Sequence, residues 1–356
     1  MIVNYPRMRR RAAWPSDLDT ALEFTSPEVF SVSVYKYQYM HTYWNGEMEY
    51  CNGSEWKPWD GSKITSGEIN GKNAIYLRGT GNTRITGYST PDYRWVLAGK
   101  NISCSGNIEL LLDWQTVKGG GHPTMESYCY AAMFQGCTSL ITAPALPATS
   151  LESDCYASMF QDCTSLITAP ALPATTLESD CYASMFQGCT SLITAPALPA
   201  TTLEPDCYAS MFQGCTSLIT APALPATSLE SDCYASMFQD CTSLITAPSL
   251  PATGLMPYCY AGMFYGCTSL TTVPALPATD MQPQCYAFMF RGCIKIKVSA
   301  TASGTYTKAY RIPMTGGGWP ADAGEMDDMF ADTGGTFTGT PQIDVTYYLD
   351  KSNTIV

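Results

Sequence analysis

The chain has 356 residues, with 31 Asp and Glu against 19 Lys and Arg, a formal charge of -12, and only 14% charged residues. A surface of that sign repels polyanions, which excludes nucleic acid as a partner; the basic residues gather at the N-terminus alone. No run of 18 apolar residues occurs, so no membrane-spanning helix and no membrane insertion through one are expected.

Residues 1–29 have few periodic apolar positions and read as an N-terminal arm. "MIVNYPRMRRRAAWPSDLD" carries Arg7, Arg9, Arg10 and Arg11 but not the apolar stretch of a secretory leader. The four arginines are a candidate anchor onto an acidic neighbour in an assembly, against the plainer reading of a solvated arm.

Residues 30–124 read as a β domain. "VFSVSVYKYQYMHTYW" alternates, "EYCNGSEWKPWDG" carries turn residues, and "NAIYLRGTGNTRITGY" is strand, Gly turn and strand. "RGTGNTRITG" (78–87) resembles a phosphate loop only superficially. It opens no helix and no Lys-Ser/Thr follows it, so a hairpin turn is expected. Tyr35, Tyr37, Tyr39, Tyr43, Trp44, Trp56, Trp59 and Trp95 suit the core of such a domain, with a sugar-stacking platform as the alternative. "GNIELLLDW" (106–114) is the expected junction with the first repeated coil.

From residue 125 the chain repeats itself. Cys129, Cys155, Cys181, Cys207, Cys233, Cys259 and Cys285 are spaced by 26, and so are Cys137, Cys163, Cys189, Cys215, Cys241, Cys267 and Cys293. The unit C-Y-A-x-M-F-x-x-C-T-S-L-x-T-x-P-x-L-P-A-T recurs in six full copies and a degenerate seventh, a fixed period that signals a solenoid over 125–293. In each copy Cys, Tyr, Met and Phe favour one face of a short helix capped by Ser or Asp; "TSLITAP" is β-prone and "ALPAT" turns the chain back. Leu140, Leu146, Leu151, Tyr156, Met159 and Phe160 are expected in stacked internal columns. Strands of successive coils should lie about 4.8 Å apart, with the bulkier helical side spread wider.

The cysteines form no C-x-x-C pair, and His41 and His122 are the sole histidines, so zinc spacing is absent. Eight residues of helix would hold the two cysteines of a coil roughly 12 Å apart, too far for a disulfide. Reduced core cysteines are the expectation; Cys51 and Cys104 stand outside the period as a candidate pair. Glu152/Asp154, Glu178/Asp180, Glu204/Asp206 and Glu230/Asp232 make an acidic stripe, read as helix capping in preference to a calcium site.

"MFQGCTSLITAPALPATTLESDCYASMF" resembles the leucine-rich repeats of BspA-like bacterial surface proteins and the 26-residue bacterial surface-protein repeat. The likeness is carried by an F-x-G-C-x-S-L core and an L-P turn, matched at residues 134–140 and 146–147. The resemblance implies the surroundings of gut Bacteroidales surface proteins, or of their prophages and phages, whose similar chains lack leaders.

After Cys293 the pattern fails, leaving an M-F echo at Met329 and Phe330, and residues 294–356 read as a C-terminal cap with a β-rich tail. The expected fold class is therefore an α+β repeat: a leucine-rich-repeat-like solenoid of short strands and short helices, preceded by a small β domain and closed by a cap. No H-E-x-x-H, G-x-S-x-G, P-loop or Rossmann fingerprint is present, and no cofactor is expected. The expected function is non-catalytic recognition: a phage tail or virion protein meeting a host cell-surface glycan or protein. Thr142, Thr168, Thr194, Thr220 and Thr246 are the candidate ligand face. Other phage structural proteins and a second copy of the chain are the further partners considered, and a bacterial cell surface the alternative location. A purely structural spacer and a glycan-degrading enzyme are the competing readings.

Overall fold

A computed structural model describes residues 14–35, 44–86, 94–312, 315–316 (backbone alone) and 324–356. Within them the fold is rich in repeats and dominated by sheet, with one α-helix, Leu110–Lys118.

The first third holds two sheets. The larger runs in the order Leu140–Thr142, Ile102–Ser105, Leu22–Ser26, Lys72–Thr80, Glu47–Cys51, Lys57–Pro58, with Gly67–Ile69 also paired to Lys72–Thr80. The smaller places Ser31–Val34 between Ile64–Thr65 and Trp95–Ala98. Phe24 of the larger sheet meets Trp95 of the smaller at 6.1 Å, and Trp95 meets Trp59 edge-on at 5.2 Å, so aromatic packing joins the two.

The expected arm does not extend to residue 29. Leu22–Ser26 is an inner strand, paired antiparallel with Lys72–Thr80 on one side and Ile102–Ser105 on the other. Its sequence, Leu-Glu-Phe-Thr-Ser, alternates inward and outward, and Leu22 and Phe24 are fully buried.

Arg78 locks this region from its outer side. Its guanidinium lies 3.9 Å from the ring centre of Trp56 and 4.4 Å from that of Trp114, with Asp17 at 2.7 Å and Glu49 at 3.0 Å. Glycine is required next to it. A Cβ at Gly79 would stand 1.7 Å from the carbonyl oxygen of Leu111, so only glycine lets the helix approach the strand.

The short helix expected in each copy is not formed. Residues such as 154–162 are a run of consecutive turns, with Asp154, Ser158 and Asp162 at φ of 57°, 54° and 58°. A left-handed residue at every fourth position interrupts any helix. Alternate amides then go in two directions. Ala157, Met159, Gln161 and Cys163 donate to the carbonyl three residues back, each at 3.1 Å. Tyr156, Ser158, Phe160 and Asp162 donate at 2.7–3.0 Å to Cys181, Ala183, Met185 and Gln187 of the next copy. Half the amides of residues 156–163 therefore need the neighbouring copy, a partner no single copy contains.

The same alternation stacks the side chains. Phe134, Phe160, Phe186, Phe212, Phe238, Phe264 and Phe290 form a column with centroids 5.5–5.9 Å apart. Tyr130 to Tyr286 form a second at 5.6–5.9 Å. Left-handed non-glycine residues cost about 1–2 kcal/mol each. Buried aromatic rings at about 1.5–3 kcal/mol each, with inter-copy bonds of about 1 kcal/mol, more than offset that cost once copies adjoin.

The array is closed at both ends. At its start Ile102–Ser105 pairs in parallel with Leu140–Thr142 and Ile108 donates to the carbonyl of Ala145, but the junction is broader than the expected 106–114: Ile85 and Trp95 donate to the carbonyls of Cys129 and Met133 as well. At its end Phe330 stacks on Phe290 at 5.7 Å, and Tyr286, Phe288, Phe290 and Gly292 donate to Glu325, Asp327, Met329 and Ala331. The Met-Phe echo is thus one more turn run. Thr354–Ile355 adds in parallel to Thr272–Val273, and Val298–Ser299, Thr346–Asp350 and Tyr306–Arg311 form a three-stranded sheet beside it.

Candidate recognition surface

The array presents two different outward faces. On one, Thr142, Thr168, Thr194, Thr220 and Thr246 are joined in succession by parallel bridges, and all five are exposed. Beside them Ile167, Ile193, Ile219 and Ile245 are 45–50% exposed, although nearly every other large apolar side chain of these copies is buried. The amides of Ile193, Ile219 and Ile245 donate to the isoleucine carbonyl one copy earlier at 3.3–3.4 Å, which holds the ladder in register. The threonines singled out in the sequence therefore share one face. The isoleucines next to them were not foreseen, because an Ile in a β-prone run reads as core.

On the turn face, Gln135, Gln161 and Gln187 each donate a side-chain amide to the next glutamine carbonyl in line, ending on Gln213. Asp154, Asp180, Asp206 and Asp232 stand in a parallel column. They begin the turn runs in the left-handed conformation, with φ of 56–59°, and cap no helix. Partial burial raises the carboxyl of each, and the charges of Asp154 and Asp206 add to lift Asp180 to about 6.

All sixteen cysteines are free and buried. Cys51 and Cys104 do not pair: they belong to separate apolar clusters. In the second column Cys163, Cys189, Cys215, Cys241, Cys267 and Cys293 direct their thiols to the carbonyl of Phe134, Phe160, Phe186, Phe212, Phe238 and Phe264, at 3.0–3.1 Å. Burial pushes these thiols far up, Cys215 and Cys293 to about 12, so they stay protonated and inert at neutral pH. Among the described residues no three His, Cys, Asp or Glu side chains gather as a metal site. No helix among them is long and apolar enough to cross a membrane.

Trp44, Trp59 and Trp95 are buried in the sheet region, Trp56 covers Arg78, and Tyr35 is exposed. Tyr37, Tyr39, Tyr43 and His41 lie outside the described residues, as do Arg7, Arg9, Arg10 and Arg11. His122 contacts the buried carboxylate of Glu109 at 2.8 Å beside a cleft that also receives Glu152. Residues 78–86 are the end of the strand Lys72–Thr80 followed by bends, with Gly81 at φ of 66° and its amide donating to Asp113. The expected hairpin is not formed among the described residues, because Lys72–Thr80 pairs with strands that precede it and the next strand, Trp95–Ala98, pairs with Ser31–Val34.

Compared with protein-family models, curated proteins and solved structures, the chain finds no match.

Proposed function

We propose that the chain is a non-catalytic recognition protein whose 26-residue copies build a leucine-rich-repeat-like solenoid, and that the Ile/Thr ladder meets a host cell-surface glycan or protein. The observation carrying this reading is the row of exposed isoleucines in register beside exposed threonines, in copies that bury almost all their other apolar side chains. Each copy offers the same small patch, so a ligand that repeats would be held weakly per copy and firmly by many. The likeness of the copies to bacterial surface repeats supports a bacterial surface as the target, with a phage tail or virion as the setting.

Removing residues 181–232, two whole copies, tests this. The two new neighbours are again like copies, so the fold is kept while the ladder shortens. Binding to a panel of gut Bacteroidales cells is expected to weaken at least tenfold. Unchanged attachment would assign the array to spacing instead, and release of reducing sugar ends by the purified protein would make it an enzyme.

A further inference from the structure

The turn face changes character at its far end. From residue 152 to 239 its outward positions repeat Glu, Asp, Ser and Gln in four successive copies. In the next two copies the Glu position becomes Met256 and Gln282, the Asp position Tyr258 and Gln284, the Ser position Gly262 and Phe288, and the Gln position Tyr265 and Arg291. These replacements adjoin one another. With Asp232 and Gln239 of the copy before, all but Met256 and Gln282 line a single open cleft of about 470 Å³.

Several details mark the cleft as built for something other than packing. Tyr258 and Phe288, both at φ of 59°, place bulky side chains where the four Glu-Asp-Ser-Gln copies carry Asp and Ser in the same left-handed conformation. Gly262 omits a side chain between Ser236 and Phe288, and so leaves the space that Ser fills in the four preceding copies; an added Cβ would stand 3.2 Å from the Ser236 hydroxyl. Arg291 lies 5.9 Å from the ring centres of both Tyr265 and Phe288 and is held there by Asp328 at 3.1 Å and Asp332 at 3.6 Å. Gln284 donates to the Tyr258 hydroxyl at 3.3 Å, which positions that ring at the mouth.

We infer that this cleft binds one or two units of a neutral saccharide, and it rests on the reading of the chain as a surface-recognition protein. The exposed ring of Tyr258 and the half-buried rings of Tyr265 and Phe288 suit the C–H face of a pyranose, while the amides of Gln239 and Gln284 and the carboxylate of Asp232 suit paired hydroxyls. The charge of Arg291 is already met by two carboxylates, and Asp232 adds another acid, so an anionic sugar gains nothing there.

The array itself supplies the test. Y258D, Y265Q and F288S restore the residues of the regular copies, and G262S refills the gap. The intact protein and the triple and single variants are presented to printed glucans, mannans and galactans, to uronate- and sialate-bearing glycans, and to a peptide library. The intact protein is expected to hold neutral glycans, with affinity falling at least tenfold in the triple variant and in G262S, while the melting midpoint stays level or rises. The inference is overturned if no neutral glycan binds, if the variants bind as well as the parent, or if uronates, sialates or peptides compete for the cleft. Attachment to cells that still depends on residues 181–232 would then leave the broader reading standing. Sugar binding lost with the triple variant, beside attachment indifferent to that deletion, would do the reverse.

Discussion

The sheet region before residue 124 and the array after it are stabilised in opposite ways. In the array the contacts between copies recur from step to step: Phe stacks on Phe, Tyr on Tyr, Gln bonds Gln, and the Tyr156 amide meets the Cys181 carbonyl as the Tyr182 amide meets that of Cys207. In the sheet region the decisive contacts occur once, as with Arg78 between Trp56 and Trp114 and against Asp17 and Glu49. A defect in the array is therefore felt by two neighbours and no further, whereas a defect at Arg78 releases several unlike elements together.

The largest expected effect comes from opening a ring column. Phe186 is fully buried between Phe160 and Phe212, at 5.7 Å from each. F186A should cost about 3–5 kcal/mol and broaden the urea transition, as the array uncouples at that copy. A sharp transition with a smaller loss would show the columns to be less cooperative than their geometry implies.

Next is R78M, expected at about 2–4 kcal/mol, because Asp17 and Glu49 lose their partner but remain partly wetted. It should also change the acid limb. Burial works against ionisation of Asp17, but hydrogen bonds from Trp56 and Arg78 and the Arg78 charge outweigh it and hold the carboxyl below its usual value. That gain is present above pH 3.8 and lost as pH falls through the lowered value. The variant should show less loss over that interval in acid denaturation followed by circular dichroism.

A smaller effect is expected in the thiol column. C163A removes the bond to the Phe134 carbonyl and leaves a small void, for about 1–2 kcal/mol. In the unaltered protein the sixteen thiols should resist an aromatic disulfide reagent until denaturant is added. Early reaction of several would contradict their burial.

The smallest effect has the opposite sign. Asp180 is raised to about 6 by burial and by its neighbours Asp154 and Asp206. Its favourable contribution is full below pH 3.8 and lost as pH rises through about 6, so at pH 7 the ionised column is destabilising. D180N should raise the melting midpoint at pH 7 by about 1–2 °C and leave it unchanged near pH 4. A drop at pH 7 would mean that the charge serves a contact in its column.

Much of the array can be read from spacing alone. A 26-residue period places Tyr156, Met159, Phe160 and Cys163 in columns, and all four are buried. The turn run is harder to read, because Cys, Tyr, Met and Phe fall on one helical face within a single copy. What excludes the helix is a partner that one copy lacks: the amides of Tyr156, Ser158, Phe160 and Asp162 are satisfied in the next. A sign was present in Asp, Ser and Asp-or-Gly at every fourth residue, the types that tolerate the left-handed region. Leu22–Ser26 escaped because five alternating residues beside an arginine-rich stretch resemble a tail, although its partners Lys72–Thr80 and Ile102–Ser105 lie far along the chain. The terminal cleft was visible as departures at Tyr258, Gly262, Tyr265, Phe288 and Arg291; that they share one cleft requires the stacking.

The ring columns also bear on how such a chain can vary. Each step along the phenylalanine stack is 5.5–5.9 Å, and both sides of a middle copy meet nearly identical neighbours. A whole unit gained or lost by unequal recombination between the near-identical gene segments would create junctions of a kind the molecule already contains. The chain could then lengthen or shorten in equal increments of one ring spacing, carrying its far end outward or inward without redesign of either terminus. In that respect the array behaves as a gauge whose length is adjustable by copy number.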